Sequence, residues 1–448
     1  VSKKNESYDM KVAIIGTGVA GLGAAWALRQ KAKITLFESQ ARLGGHSHTV
    51  KVANAQTNQS IKVDTGFIVY NVATYPNLIA LFDCLNVPTK SSDMSFAVSL
   101  DQGRYEYSGD NLRTFIGQKR NLLRLKHLQL MADTVRFMQS GEDLCNAPEE
   151  ETLGVYLTQK KFSNAFIQNH ILPMAAAIWS ATPQAILDFP ARSFGRFYNN
   201  HGLLELDVGK RPEWRTVDGG AEVYVRKILD EVKSKIVLNS DIRCIVGAVD
   251  GAQLTFADGQ TAVFDRVIMA AHADETSMLL DDAHVEQKSA LSSFRYSANY
   301  AYLHSDERLM PCRKHLWASW NYIGGNTQNT KNVFVTYWMN RLQGIDKSFP
   351  LFVSLNPSET PAAEKTYKSM VYHHPQFDRA AMAAQDKLRF VQGQNNIWLC
   401  GSYFGYGFHE DALASGLAVA EALGAPRPWN VKDISPAFEN ATPRVKNV

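Results

Sequence analysis

Residues 11 to 38 constrain this chain more than any other stretch. Lys11 to Ile15 is a short β-branched run closed by glycine, and it reads as a buried parallel strand. Gly16-Thr-Gly18-Val-Ala-Gly21 follows, then AGLGAAWALRQ with small residues at helical spacing, then a second apolar run, ITLFE, ending in Glu38. Strand, glycine turn, helix and strand make a β-α-β unit with its glycines in register. Gly16 permits the tight turn, Gly18 lets the main chain approach a pyrophosphate, and Gly21 lets helix and strand pack closely. The helix start at Val19 and Ala20 offers free N–H groups to the negative charge. Glu38, seventeen residues after Gly21, is placed with Ser39 to meet ribose hydroxyls. The unit predicts an α/β chain with a dinucleotide-binding domain.

The β-α-β unit alone does not separate NAD from FAD. Arg42-Leu-Gly44-Gly45-His46 begins four residues after Glu38. This continuation resembles FAD proteins of the glutathione-reductase-like class, in which the cofactor runs on past the ribose. The likeness implies that Gly44 and Gly45 let the backbone lie along the far half of FAD, with Arg42 close to the phosphates and His46 hydrogen-bonding nearby. The plainer reading of the glycine pair is a turn after a strand. No second GxGxxG follows a strand after residue 50, so no separate NAD(P)H domain is expected. Electrons would leave to oxygen, a quinone or another carrier, unless the reaction has no net redox change.

Further pieces extend the resemblance along the chain: Trp214-Arg-Thr-Val-Asp-Gly219-Gly220, RVIMAAH at 266 to 272, and NIWLCGSYFGYGFHEDALASGLAVAEAL near the end. With the first motif they resemble the FAD-dependent amine oxidase and phytoene desaturase superfamily. GGHSHTV, VDTGFIVYN, NHGLL, RPEWRTVDGG and YFGYGFHEDALASG are similar, more narrowly, to a bacterial group of predicted NAD/FAD-binding proteins. That group is related to the flavoprotein region of plant cyclopropane fatty acid synthases. The resemblance implies a glutathione-reductase-like, Rossmann-type FAD-binding domain from residues 1–74, 211–279 and 391–430. It would be interwoven with a mixed α+β substrate domain from 75–210 and 280–390, leaving a tail at 431–448. It also implies lipid chemistry, Trp214 beside the cofactor, and a backbone contact to adenine from Ile242 or Ile245. One departure stands out: the acid many relatives carry after the glycine of the last strand is absent, since Gly401 is followed by Ser402 and Tyr403.

The C-terminal segment has its own logic. IWLCG reads as a strand, YFGYGFHED as a loop, and ALASGLAVAEAL as a helix whose small residues, Ala412 and Gly416 among them, allow close approach. A helix start aimed at the flavin would stabilise negative charge there, with Glu410 and Asp411 either at the cofactor or acting as first-turn caps. Tyr403, Phe404, Tyr406 and Phe408, with Trp214, Trp317, Trp320 and Trp338, are candidates to line an apolar tunnel, or else fill a core. His409 is the acid–base candidate, Tyr406 the second and Tyr403 the third catalytic candidate.

Elsewhere the signals are weaker. Residues 236 to 270 read as a small antiparallel β-meander with turns at DG and ADG. Residues 112 to 131 read as a basic amphipathic helix with Arg113, Lys119, Arg120, Arg124 and Lys126, a candidate contact with an anionic membrane surface or an ordinary exposed face. His46 and His48 lack a third ligand, His373-His374 reads as a polar turn before Pro375, and His170 as a satisfied core residue; no metal site is expected. The net charge of +3 gives no reason for a nucleic-acid partner, and five scattered cysteines suit a reducing compartment. With no signal-like run in VSKKNESYDM and no span-length apolar run, a cytoplasmic protein is expected, peripheral at most at the inner membrane surface.

The leading expectation is an FAD-dependent oxidoreductase acting on unsaturated or methyl-branched fatty-acyl chains by desaturation, oxidation or isomerisation. The alternatives are a flavin amine oxidase and a non-catalytic flavoprotein partner of a lipid methyltransferase. A polyamine substrate needs carboxylates in the tunnel; a lipid needs apolar walls.

Overall fold

A computed structural model describes residues 10–54, 59–179, 181–324 and 334–431. The polar N-terminal stretch through residue 9 and the expected tail beyond 431 lie outside the described residues.

The β-α-β unit is the seed of a five-stranded parallel sheet. Its strand order is Lys235–Val237, Ala32–Phe37, Met10–Ile15, Arg266–Met269, Ile397–Leu399. These strands are continuous apolar runs because helices and a second layer cover both faces: Val12, Ala13, Ile14, Leu36, Val267, Ile268, Ile397 and Leu399 are fully buried. The registers Ile15↔Phe37, Ile15↔Met269 and Met269↔Leu399 align the strand ends, so the turns at Gly16, Glu38, Ala270 and Gly401 share one carboxyl edge. In open parallel sheets that edge is where ligands bind.

The Val19–Leu28 helix and the C-terminal His409–Ala422 helix pack on one face. Their contact is close enough that a Cβ on Gly416 would fall on the carbonyl of Ala20. The other face meets the three-stranded antiparallel meander, Ile242–Ala248, Gly251–Phe256 and Thr261–Phe264, and the Arg379–Phe390 helix.

A second sheet has seven strands, in the order Thr366–Gln376, Arg295–His304, Phe352–Leu355, Val335–Trp338, Trp320–Gly324, Phe96–Leu100, Tyr105–Ser108. All neighbours are antiparallel except Trp320–Gly324 with Phe96–Leu100. Helices between residues 125 and 200 cover it through an aromatic core containing Phe137, Tyr156, Phe166, Trp179, Phe194 and Tyr198. Asp64 joins the two halves: its carboxylate accepts from the Ala221 N–H at 2.9 Å and from Gln343 Nε2 at 2.9 Å.

Two local expectations are corrected. The single helix over 112 to 131 is broken into Leu112–Ile116, a 3-10 turn at Lys119–Leu123, and Leu125–Gln139. Gly117 breaks it, with φ of 68° and the Glu106 carbonyl where a Cβ would sit. His373-His374 is not a turn but part of the Thr366–Gln376 strand, paired with Ala298 and Ser297.

Candidate functional site

The second glycine pair is docked on the first glycine turn. The Gly44 N–H donates to the carbonyl and hydroxyl of Thr17 at 3.2 and 3.3 Å, and a Cβ on Gly45 would lie 3.0 Å from Gly18 Cα. Arg42 donates to the Gly45 carbonyl at 2.6 Å and so holds its charge over this junction. Glu38 accepts from Thr17 N and Oγ1 at 3.2 and 2.5 Å and from Gln40 N at 3.0 Å, while the Ser39 hydroxyl lies 3.4 Å away. Ser240 N–H donates to the Glu38 carbonyl, which brings Ile242 to the same turn; Ile245 is fully buried three residues on.

Two features of this edge fit an extended, phosphate-bearing cofactor. The Val19–Leu28 helix has no side-chain cap at Gly18 and no acid in its first turn, so its first N–H groups are left for an anion. A Cβ on Gly18 would meet nothing within 4 Å, so open space lies directly before those donors. Gly16, Gly18, Val19, Ala20, Gly21, Glu38, Arg42, Gly44 and Gly45 are the residues that would hold the nucleotide half of FAD.

Beyond Gly45 the cleft is walled by histidines that sequence spacing had not joined. The His46 ring centroid lies 6.2 Å from His272, 5.5 Å from His374 and 5.2 Å from Tyr372. Tyr372 hydroxyl bonds His48 Nδ1 at 2.9 Å and Thr65 at 2.7 Å, and Asn299 lies 3.2 Å from His374 Nδ1. His46, His272, His374 and His409 are all partly buried. Burial, then the neighbouring histidines, holds His46 well below the ordinary imidazole range, and burial takes His374 down to about 4 and His409 to about 3. These rings are neutral at physiological pH.

His409 opens the C-terminal helix, which starts three residues earlier than its alanine-rich pattern suggests. Its ring stacks on Phe67 at 3.8 Å, and Nε2 lies 2.8 Å from the Tyr224 hydroxyl and 3.2 Å from Ser47 Oγ. Any acid–base role is therefore exercised by a neutral imidazole in a hydroxyl pair, not by an imidazolium. Glu410 and Asp411 both act as caps. Glu410 accepts from Asn77 N, Asn77 Nδ2 and Leu78 N at 2.8, 2.9 and 3.0 Å, closing the start of the Pro76–Cys84 helix. Asp411 accepts from Tyr406 N and Phe408 N at 3.0 and 2.9 Å. Ala412 is buried behind them, and Ser402 starts a 3-10 turn whose neighbour Gly401 donates to Ser415.

Glu410 makes stability depend on pH. Burial, against its hydrogen bonds, pushes this carboxyl up to about 7 from an ordinary 4.5. A raised folded-state value means the folded protein holds the proton more tightly, so this contribution is complete below 4.5 and is lost as pH rises through 7. The loss is on the order of 3 kcal/mol. Chemical denaturation of Glu410→Gln and wild type at stepped pH should show the difference moving toward the variant across that window; a constant difference would overturn the assignment.

The expected aromatic tunnel is only partly assembled. Trp214 stacks near His201 at 6.2 Å, His201 on Phe197 at 3.9 Å, and Phe197 on Phe408 at 5.0 Å. Phe197 also lies 4.6 Å from Trp179 and 6.2 Å from Tyr406. Trp317 and Trp338 pair with each other under the seven-stranded sheet, 5.5 Å apart, away from this layer. Tyr403 packs with Phe294 and Phe404 in the core below the Arg379–Phe390 helix. His170 bonds Tyr107 at 3.0 Å within the core.

Beside the histidines opens a cavity of about 320 Å³ lined by Trp179, Ala181, Ala185, Ile186, Phe189, Phe194, Arg295, Tyr296, Pro375, Gln376, Phe377 and Asp378. Tyr296 stacks on His272 at 4.5 Å, and Pro375 follows His374, so cavity and histidine cleft share a wall. Asp378, the one carboxylate of the lining, pairs with Arg295 at 2.5 Å and caps the Arg379–Phe390 helix at Ala381 N. Among the described residues no group of three His, Cys, Asp or Glu is arranged to hold a metal ion, and no helix is long and apolar enough to cross a membrane.

Known proteins share this architecture. The chain aligns over 93% of its length with a CLA-producing fatty acid isomerase from P. acnes, at 14% identity and TM-score 0.65, covering 99% of that chain. It aligns equally widely with putrescine oxidase bound to putrescine, at 15% identity, TM-score 0.66 and 99% of that chain. At these identities the likeness establishes the fold. No curated protein matches the chain in sequence. The family model of flavin containing amine oxidoreductases matches residues 19–345, most of the chain. The chain belongs to the flavin-containing amine oxidoreductases and is an FAD-dependent oxidoreductase.

Proposed function

We propose that this chain acts on a fatty-acyl substrate, removing or relocating hydrogen next to a double bond or methyl branch. The observation that carries this reading is the chemistry of the cavity: aromatic and aliphatic walls, with its single carboxylate committed to an arginine and a helix start. A polyamine would bring cations that no free carboxylate in the lining receives, and burying an unpaired charge is costly. An acyl chain needs only apolar walls. The likeness of GGHSHTV, VDTGFIVYN and YFGYGFHEDALASG to proteins that accompany enzymes modifying unsaturated acyl chains supports the same reading.

The protein's own part is positioning. Trp179, Phe189, Phe194 and Phe377 hold the chain and exclude water, and Tyr296 and Pro375 bring its inner end beside His272 and His374. FAD, when bound, supplies the hydride acceptor. Neutral His46 and His374 are the groups available to accept the matching proton. His409 and Tyr224 would keep the start of the C-terminal helix in place beneath the cofactor.

The test is anaerobic. Holoenzyme mixed with cis-unsaturated or methyl-branched acyl chains should lose its visible flavin absorbance or yield a product with a shifted double bond, read by mass spectrometry and ultraviolet absorbance. Putrescine and spermidine should do neither. Bleaching by the amines alone would establish amine oxidation instead. Inertness toward both, with FAD bound, would support a non-catalytic partner of a lipid methyltransferase.

A further inference from the structure

Residues 112 to 135 show solvent what a globular protein usually hides. On the Leu125–Gln139 helix, His127, Leu130, Thr134 and Phe137 face the core. Leu125, Leu128 and Val135 fall at i, i+3 and i+10, a spacing that puts them along one outward stripe, and all three are exposed. The preceding elements add more: Leu123 is 88% and Leu112 69% exposed, and Leu122 next to Leu123 is exposed too. Isolated exposed leucines are ordinary, but a run of this kind on consecutive elements marks a contact surface.

The same elements carry positive charge that no carboxylate among the described residues pairs with. Arg113, Lys119, Arg120, Arg124 and Lys126 fall within a stretch that has no acid between Asp110 and Asp133. Those two bracketing carboxylates are already paired, Asp110 with Arg341 and Asp133 with Arg136. Arg120 and Arg124 donate to neutral groups, the side chains of Gln118 and Asn121, which leave their charge in place.

We propose that this surface docks on an anionic lipid bilayer, its leucines entering the acyl boundary and its cations meeting the headgroups. Apolar side chains interleaved with lysine and arginine match that boundary on both counts. A second copy of the chain would bring five cations against five more, and a nucleic acid would leave the leucines without a partner. The helix that carries the surface packs on the cavity wall: Phe137, on its inner face, meets Phe194 edge-on at 6.5 Å, and Phe194 lines the cavity. Docking there sets the cavity close to a store of acyl chains, a consequence that rests on the acyl-chain reading although the docking itself does not.

Flotation of the holoenzyme with phosphatidylcholine vesicles, with and without phosphatidylglycerol, tests this. The protein should float with the anionic vesicles and lose binding as salt rises. Lys119→Glu with Lys126→Glu should weaken the partition by roughly tenfold or more, and Leu123→Ser with Leu125→Ser by about tenfold. Both variants should keep the wild-type melting temperature, because the altered side chains are exposed. Failure to float with anionic vesicles, or equal flotation of wild type and both variants, would overturn the proposal. So would a dimer, seen by light scattering, that the leucine variant alone disrupts. Assays on detergent-dispersed acyl chains separate the two ideas: turnover without vesicle binding sinks docking alone, and vesicle binding without turnover sinks the acyl-chain reading alone.

Discussion

Gly18→Ala is expected to yield a folded protein that has lost most of its affinity for FAD. The residue has φ of −64° and ψ of 176°, which alanine adopts without strain, and its added methyl group would touch no protein atom within 4 Å. The methyl would instead occupy the space in front of the uncapped start of the Val19–Leu28 helix. Overpacking of that size costs about 1–3 kcal/mol, which corresponds to FAD binding weakened roughly ten- to a hundredfold. Titration of the apoprotein followed by flavin fluorescence, alongside a thermal melt of the same apoprotein, would check it. A variant that binds FAD as tightly as wild type would mean the pyrophosphate lies elsewhere.

Gly416→Val should do more harm, and of a different kind. Its Cβ would fall on the Ala20 carbonyl, a backbone atom that has no rotamer by which to yield. The two helices must separate, and the first of them carries the glycine turn at its start. Destabilisation of about 3 kcal/mol or more is expected together with FAD loss. The apoprotein melt distinguishes the two glycines: unchanged for Gly18→Ala, lowered well below wild type for Gly416→Val. Equal melts would show that the helix crossing relaxes without cost.

What could be read from the sequence and what could not follows from how local each feature is. The β-α-β unit is legible because its three glycines fall within six residues between a strand and a helix, and Glu38 ends the next strand. The C-terminal helix is legible from its small residues, although their pattern leaves its first turn in the loop. The histidine wall is not, because His46, His272 and His374 come from three distant segments and meet only when both sheets are built. Glu410 presented two local readings, contact or cap, and the partners that decide its bonding, Asn77 and Leu78, are more than three hundred residues away. The basic stretch displayed its charge and period, but Gly117 breaks the helix because of the Glu106 carbonyl, a steric fact with no trace in periodicity.

The strand order of the parallel sheet also governs how the chain can be made. Its first strand, Met10–Ile15, needs Arg266–Met269 as a neighbour, and that strand in turn needs Ile397–Leu399. During synthesis the edge of Met10–Ile15 therefore stays open until residue 269 has left the ribosome, and the edge of Arg266–Met269 until residue 399 has. Such an edge is a template for wrong pairing, so overproduction at lower growth temperature, or with chaperones that shield nascent strands, should favour recovery of the native flavoprotein over aggregates.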